Sequence, residues 1–388
     1  MFSGQSAFWF FLFLMVYTYI CVPSSLKPNH RSMAADVYFS SLKNTGNKSP
    51  LDKISKLLRR VKMRELYEKH ELVAVKVHFG ELGNTAYLRP VFLRPVIGEL
   101  KDMETRPFLT DTNTLYIGMR TNTVDHLYCA HWNGFNYSTL QTPIVIADGL
   151  RGENSRQVEL DRPGSQKVHL AADILNADAM LVVSHFKGHM LTGIGGAIKN
   201  LSMGCASRQG KLDMHSMSKP TVDQQKCTGC GKCQEHCHEK AIEISQKAYI
   251  TDHCVGCSRC IAVCPEGAIQ INWNASSDNV QKKMAHYAYG VQSHFGSKML
   301  YVNVVTNVAP GCDCDPANDQ PVVADIGFFA STDPVAIDRA SYDMVVQANG
   351  GKDPFRAHYP NVNPTAQLDY AEKIGGGTNH YNLAEVKA

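Results

Sequence analysis

The sequence predicts an α/β fold: a mostly parallel sheet flanked by helices, with a smaller α+β unit inserted into it. Three observations carry this. Helical and strand-like periodicities alternate along most of the chain after residue 33. The strand segments are continuous apolar runs, as expected where both faces of a parallel sheet are covered. Eight of the 13 cysteines crowd between Cys227 and Cys264, in a segment that repeats itself.

Taken in order, Ser49-Pro50 opens a helix, with serine as N-cap and proline in the first turn. Leu51, Ile54, Leu57, Leu58 and Val61 then share one face. LVAVKVHF (72–79) is a strand, and 107–116 contains another short one. PIVIADG (143–149) is a buried strand. Residues 165–178 read as an amphipathic helix leading into strand AMLVVS (179–184). Residues 299–305 and 326–330 are further strands. STDPVAIDRASYDMVV (331–346) is a helix, capped by Thr332 or Asp333, with Pro334 in its first turn.

The apolar share of 44% is enough to bury a real core in 388 residues, and a net charge of +3 argues for neither nucleic acid nor an anionic membrane surface. The chain divides into an apolar extension (1–32), a first core part (33–218), the cysteine-rich unit (219–274) and a second core part with a C-terminal tail (275–388). Residues 7–22 form an apolar run that is short for a membrane span and lacks a basic n-region. Two readings stay open: a membrane anchor or unusual signal, or translation starting at Met33.

Polar groups recur where strands end. Lys76 and His78 lie at the end of the first strand; Asp111, Thr112 and Asn113 follow the second, and Asp148, Gly149 and Arg151 the third. His185, Lys187 and His189 follow the fourth, and Asn307, Cys312 and Cys314 the fifth. Ligands of open α/β sheets bind beyond the carboxyl ends of strands, although strand ends are loops and loops are polar in any case.

The cysteine-rich unit reads CTGCGKCQEHC (227–237) and CVGCSRCIAVC (254–264), each C-x2-C-x2-C-x3-C, with AIEI (241–244) and AIQI (268–271) repeating at the same offset. This is the run that binds two 4Fe–4S clusters in bacterial ferredoxins. Three closely spaced cysteines wrap one cluster and the fourth reaches the other. Cys227, Cys230, Cys233 and Cys264 are therefore expected to hold one cluster, and Cys254, Cys257, Cys260 and Cys237 the second. His238 stands where the pattern has proline. Zinc sites more often pair two short knuckles across a longer gap. The fold class is accordingly an α/β core with an inserted two-cluster ferredoxin-like domain. Clusters of this kind are unstable in an oxidising compartment, which points to a cytoplasmic protein; the alternative is membrane anchoring through 7–22.

HFKGHMLTGIGGAIKNLSMGC (185–205) carries the densest set of reactive groups. Its glycines fail the dinucleotide pattern, because Ile198 occupies the third glycine position. The following residues fail the P-loop, with Leu212 after Lys211. A glycine-rich anion nest of another kind remains open. Lys76, His78, Lys187, His189 and Lys199 are candidate catalytic residues, forming a cationic pocket that delivers protons. Cys312 and Cys314, completed by a third thiolate at Cys205 or by a histidine such as His185 or His189, could hold an additional metal ion. An inert Cys205 and a redox-active Cys312/Cys314 pair are the competing readings. Leu201, Met190, Met203, Cys129 and His131 read as core.

With those residues in hand, the chain from Met33 to about Val346 resembles the domain-of-unknown-function 362 proteins that carry an inserted ferredoxin module. The stretches are KVHFGELGNTAYLRP (76–90), FLTDTNTLYIGMR (108–120), IADGLRG (146–152), 184–211, PGCDCDP (310–316) and DIGFFASTDPVAID (325–338). The resemblance implies the interrupted α/β core and no particular activity. The expected function is an iron–sulfur oxidoreductase relaying electrons to a site in the core. The alternative is a non-enzymatic electron carrier or a metal or cofactor maturation protein. The expected partner is a redox protein or a small-molecule electron acceptor.

Overall fold

A computed structural model describes residues 34–43, 48–116, 118–215, 219–237, 239–254, 259–270 and 276–387. The apolar run 7–22, Met33, His238 and Cys257 lie outside the described residues. Eight strands form the central sheet: β1 (Ala35–Ser41), β2 (Leu72–Lys76), β3 (Arg106–Asp111), β4 (Ile144–Ile146), β5 (Ala179–His185), β6 (Met299–Val305), β7 (Gly327–Ser331) and β8 (Tyr381–Glu385). Their order is β8-β1-β7-β6-β5-β2-β3-β4. The run from β6 through β4 is parallel. β7 pairs antiparallel with both β6 and β1, and β8 runs parallel to β1.

Strand alternation sorts side chains between two apolar layers. Leu181 and Val183 of β5 face α1 (Pro50–Arg60) and α2 (Leu93–Asp102), through Leu57 and Ile97. Met180 and Val182 face α3 (Ala197–Cys205), α4 (Ser277–Phe295) and α5 (Pro334–Ala348), through Leu201, Met284 and Ile337. Every residue of β5 and β6 is buried. Each Leu or Val buried here contributes roughly 1.5–3 kcal/mol. The Ser49 N-cap is realised: its hydroxyl accepts from the Asp52 N–H while the Asp52 carboxylate accepts from the Ser49 N–H.

Two expectations change. Residues 165–178 are not a helix. Ser165–Ala171 is a strand pairing antiparallel with Ser155–Arg162, followed by the four-residue helix Ala172–Leu175. Val168 and Leu170 are buried between the exposed Lys167 and half-buried His169, a period of two. The strand at 326–330 exists, but it is antiparallel to its neighbours, and β1 and β8 extend the sheet beyond it.

Residues 219–274 contain their own small elements. Thr221–Val222 pairs with Ile269–Gln270, and Ile242–Ile244 with Ala248–Ile250. Short helices begin at Lys232 and Arg259. Ile242, Ala248, Ile261 and Ile269 pack with Cys227, Cys233 and Cys260 in an apolar cluster separate from the two sheet layers.

Candidate functional site

At the carboxyl ends of β2, β3, β5 and β6 lies a cavity of about 320 Å³, lined among others by His78, Lys187, His189, Lys199 and Lys211. A second cavity of about 450 Å³ adjoins it and shares Tyr116, His189, Met190 and Cys314 with it. Four of the five candidate catalytic residues therefore meet at one place. Lys76 does not. Fully buried at the end of β2, its Nζ donates to the Asn200 Oδ1 at 2.7 Å and the Val77 carbonyl at 2.8 Å, and lies 2.9 Å from the Asp111 carboxylate. All three ammonium protons are used, so Lys76 ties β2 to β3 and α3.

Burial alone would raise the Asp111 pKa, but the Lys76 charge holds it well below the usual carboxylate range. His78 is kept neutral. Burial and then the Arg120 guanidinium push its pKa well down. The Gly80 N–H approaches Nδ1 at 3.1 Å and Arg120 Nη1 approaches Nε2 at 2.8 Å. Facing donors on both sides, His78 is not the cationic proton donor expected. Lys187 Nζ donates to the His185 carbonyl and lies 3.1 Å from Asp313 Oδ2.

The glycines after β5 serve packing. The N–H groups of Ala197 and Ile198, which open α3, donate to the Asp338 carboxylate of α5 at 2.7 and 2.9 Å. A Cβ on Gly196 would fall 2.2 Å from Asp338 Oδ1. The helix N-terminus is thus filled by the protein's own carboxylate, and the anion-nest reading of 193–199 does not hold there. Burial raises the Asp338 pKa to about 6 against the hydrogen bonds that lower it. With α3 fixed in this way, Lys199 points along the cavity.

Lys199 Nζ donates to Cys312 Sγ at 3.3 Å. Cys312 and Cys314 bracket Asp313, whose carboxylate is anchored inward by His185 Nδ1 at 2.9 Å and by Lys187. His189, Cys312 and Cys314 offer ligand atoms all within 4.8 Å of one another. His189 Nδ1 accepts the Leu191 and Thr192 N–H groups, both at 3.2 Å. The proton of the neutral ring therefore resides on Nε2, and the ring donates to the Cys312 sulfur. A metal-bound histidine instead keeps the proton on its distal nitrogen and donates it outward. An ammonium 3.3 Å from the sulfur also repels a cation. The arrangement as it stands suits a thiolate better than a metal ion. The hydrogen bond from the Cys314 thiol, joined by the Lys199 charge, lowers the Cys312 pKa well below the ordinary thiol value against burial. Donating that bond raises the Cys314 pKa.

Cys205 stands apart from the pair. It is the last residue of α3 and faces the core, its Sγ against the Asn200 carbonyl, and burial pushes its pKa up to about 12. It takes no part in the pair: His189 rather than Cys205 accompanies Cys312 and Cys314. Cys129 is core as expected, bonded to the Gly80 carbonyl. His131 is exposed. Met203 is core as expected and also lines the inner cavity, whereas Met190 is exposed, outside the core, at the wall of both cavities.

In the cysteine-rich unit, Cys227, Cys230, Cys233 and Cys264 line one small cavity. The Ala248 N–H donates to Cys227 Sγ and the Ala268 N–H to Cys264 Sγ, at 3.3 and 3.2 Å. Cys237 Sγ accepts the Ala241 N–H at 3.3 Å. Gly229, at φ +71°, allows the loop to turn where a Cβ would meet the Gln246 carbonyl at 2.3 Å. Cys254 is half-buried and Cys260 buried. The unit touches the core through Leu115. This residue lines the inner cavity and packs in the same apolar cluster as Cys227, Cys233 and Cys260. Arg208, buried, fixes that loop by donating to the Leu115 and Thr121 carbonyls.

Sequence reasoning missed Arg120, Asp313, Asp338 and the partners of Lys211. Arg120 bonds Glu81 and Tyr116, and Lys211 bonds Thr112 and the Ala206 carbonyl. The available signal was charge inside apolar stretches, as in IGMR (117–120) and VAID (335–338).

A match to DUF362, a domain of unknown function, spans residues 73–343. No curated protein matches the chain. Among solved structures, the lactate racemase apoprotein from Thermoanaerobacterium thermosaccharolyticum is similar at 13% identity and a TM-score of 0.36, over 70% of this chain and 51% of that one. A protein from Thermotoga maritima is similar at 9% identity and a TM-score of 0.42, over 79% of this chain and 60% of that one. The chain thus covers less than two thirds of either. Among the described residues, no helix is long and apolar enough to cross a membrane.

Proposed function

The chain belongs to the DUF362 family, and for this member we propose an iron–sulfur oxidoreductase. It binds two 4Fe–4S clusters through the eight cysteines of residues 227–264 and uses their electrons at the carboxyl edge of the sheet. The observation that carries this is Leu115, whose side chain belongs both to the apolar shell around Cys227, Cys233 and Cys260 and to the wall of the inner cavity. The donor set fits the clusters. Four thiols share one cavity, and backbone N–H groups point at two of the sulfurs, those of Cys227 and Cys264, an arrangement that stabilises thiolates and tunes cluster potential. When bound, such clusters supply single electrons at low potential.

The core residues supply the rest. Arg208 holds the loop carrying Leu115. Asp338 positions Lys199 through α3. Lys199 and His189 hold protons at the Cys312 sulfur, beside the space where a substrate or cofactor would bind. Anaerobically purified protein is expected to be brown, with about eight irons and sulfides per chain. The reduced protein should give an electron paramagnetic resonance signal that halves in Cys230→Ser. Colourless protein holding zinc overturns the reading.

A second reading, a metal or cofactor maturation protein, draws on the proximity of His189, Cys312 and Cys314. It predicts stoichiometric metal retained in a variant lacking the eight cluster cysteines and lost in Cys312→Ser.

A further inference from the structure

We propose that Cys312 and Cys314 are a redox-active dithiol, a thiolate beside its resolving thiol, which reduces a small disulfide entering through the outer cavity. Both cysteines line that cavity, and Cys314 also lines the inner one. Because the Asp313 carboxylate is anchored inward on His185 and Lys187, the residues on either side are held at the cavity wall. Lys199 Nζ at 3.3 Å balances a negative charge on Cys312. The Cys314 backbone N–H, 3.4 Å from the same sulfur, adds a further donor. His189 is locked by the Leu191 and Thr192 N–H groups in the tautomer that donates. All of these contacts favour the anion over a neutral thiol or a bound cation.

The exchange balances without an outside reagent. Cys312 thiolate attacks one sulfur of the substrate disulfide, forming a mixed disulfide and expelling the first thiolate. The Cys314 thiol, losing its proton to the departing group, attacks Cys312 Sγ. A Cys312–Cys314 disulfide forms and the second thiolate leaves, so one substrate disulfide becomes one thiol and one thiolate. Regeneration needs two electrons and one proton, the proton returning to Cys314. That the electrons come from the iron–sulfur donor rests on the oxidoreductase reading above; the dithiol itself does not.

Trypsin releases residues 299–339 as one peptide containing these two cysteines and no other, so the pair can be followed in the full-length protein. Reduced, desalted, anaerobic protein is treated with one equivalent of 2-hydroxyethyl disulfide, quenched in acid, alkylated and digested. The expected product is the 299–339 peptide two hydrogens lighter and unalkylated. In Cys314→Ser the expected product is a mercaptoethanol adduct on Cys312. In Lys199→Met, alkylation of Cys312 at pH 7 should slow at least tenfold, with Lys199→Arg restoring part of it. Two free thiols in the wild type, no adduct in Cys314→Ser, or bound zinc protecting the peptide overturns the dithiol. A last arm separates the two ideas. The disulfide form is exposed to photoreduced deazaflavin, with and without the Cys227→Ser and Cys254→Ser changes. A disulfide that forms and yields to dithiothreitol, but is reduced no faster with clusters present, refutes its supply by the clusters and leaves the exchange chemistry standing.

Discussion

The clamp between α5 and α3 gives the sharpest stability test. Replacing Asp338 by alanine removes an acceptor that takes the Ala197 N–H at 2.7 Å, the Ile198 N–H at 2.9 Å and the Asn303 amide at 2.7 Å. The residue is fully buried, and so are Ala197, Ile198 and Asn303, so water does not replace the lost acceptor. Each orphaned buried donor costs about 1–1.5 kcal/mol, near the low end for such groups, which puts the total at roughly 3–5 kcal/mol. That is a large part of an ordinary domain's stability. Denaturant unfolding of wild type and variant under anaerobic conditions measures the total. Hydrogen exchange of the peptide spanning α3 locates it: the Ala197 and Ile198 amides should lose their protection before the rest of the helix. Asp338→Asn keeps one acceptor oxygen and should fall between the two. A loss under about 1 kcal/mol, or unchanged exchange at Ala197 and Ile198, would refute the assignment of the helix N-terminus to this carboxylate.

Other expectations follow from the same contacts. Burial raises the Asp338 pKa from 3.8 to about 6, so the folded state binds the extra proton. This group's contribution should fall as pH rises from about 4 to about 6, a slope in thermal midpoint that Asp338→Asn removes. Lys76→Met leaves Asp111 charged and buried, and should cost about 3–5 kcal/mol; adding Asp111→Asn should recover a measurable part. Leu181→Ala, at the centre of β5 with no exposure, should cost roughly 2–5 kcal/mol in denaturant unfolding. A Cβ on Gly188 would fall 2.0 Å from the Pro310 carbonyl. Gly188→Ala should therefore displace the 310–314 loop, lowering stability by about 1–3 kcal/mol and slowing alkylation of Cys312.

What could be read from the sequence was what depends on neighbours along the chain. Continuous apolar runs marked β2, β5 and β6, because strands covered on both faces need no polar alternation. The cysteine spacing marked the inserted unit. The polar residues at strand ends marked the right edge of the sheet, and His78, Lys187, His189 and Lys199 do meet there. What failed depended on partners far away in sequence. Lys76 looked like a pocket cation until Asp111 and Asn200 used all its protons. The glycines of 193–196 looked like an anion cradle, but the anion is Asp338, more than 140 residues on. Cys205 ends the reactive stretch, yet it closes α3 on the helix's buried face, away from the cavity. Residues 165–171 were misread because Leu170 and Ile174 also satisfy a helical spacing.

The pairing of Thr221–Val222 with Ile269–Gln270 has a topological consequence. The polypeptide leaves the core and returns to it through two strands hydrogen-bonded to each other, so the cysteine-rich excursion has its ends side by side. Closing a loop of roughly 56 residues costs about 3.6 kcal/mol plus a constant, and lengthening it adds little. The core elements on either side, α3 before and α4 after, pack in one apolar layer without help from the excursion. The molecule is therefore built like a ring with a removable setting. Bridging residue 220 to residue 271 with a short glycine–serine turn should leave a folded, cysteine-poor core in which the chemistry of Cys312 can be studied apart from the clusters.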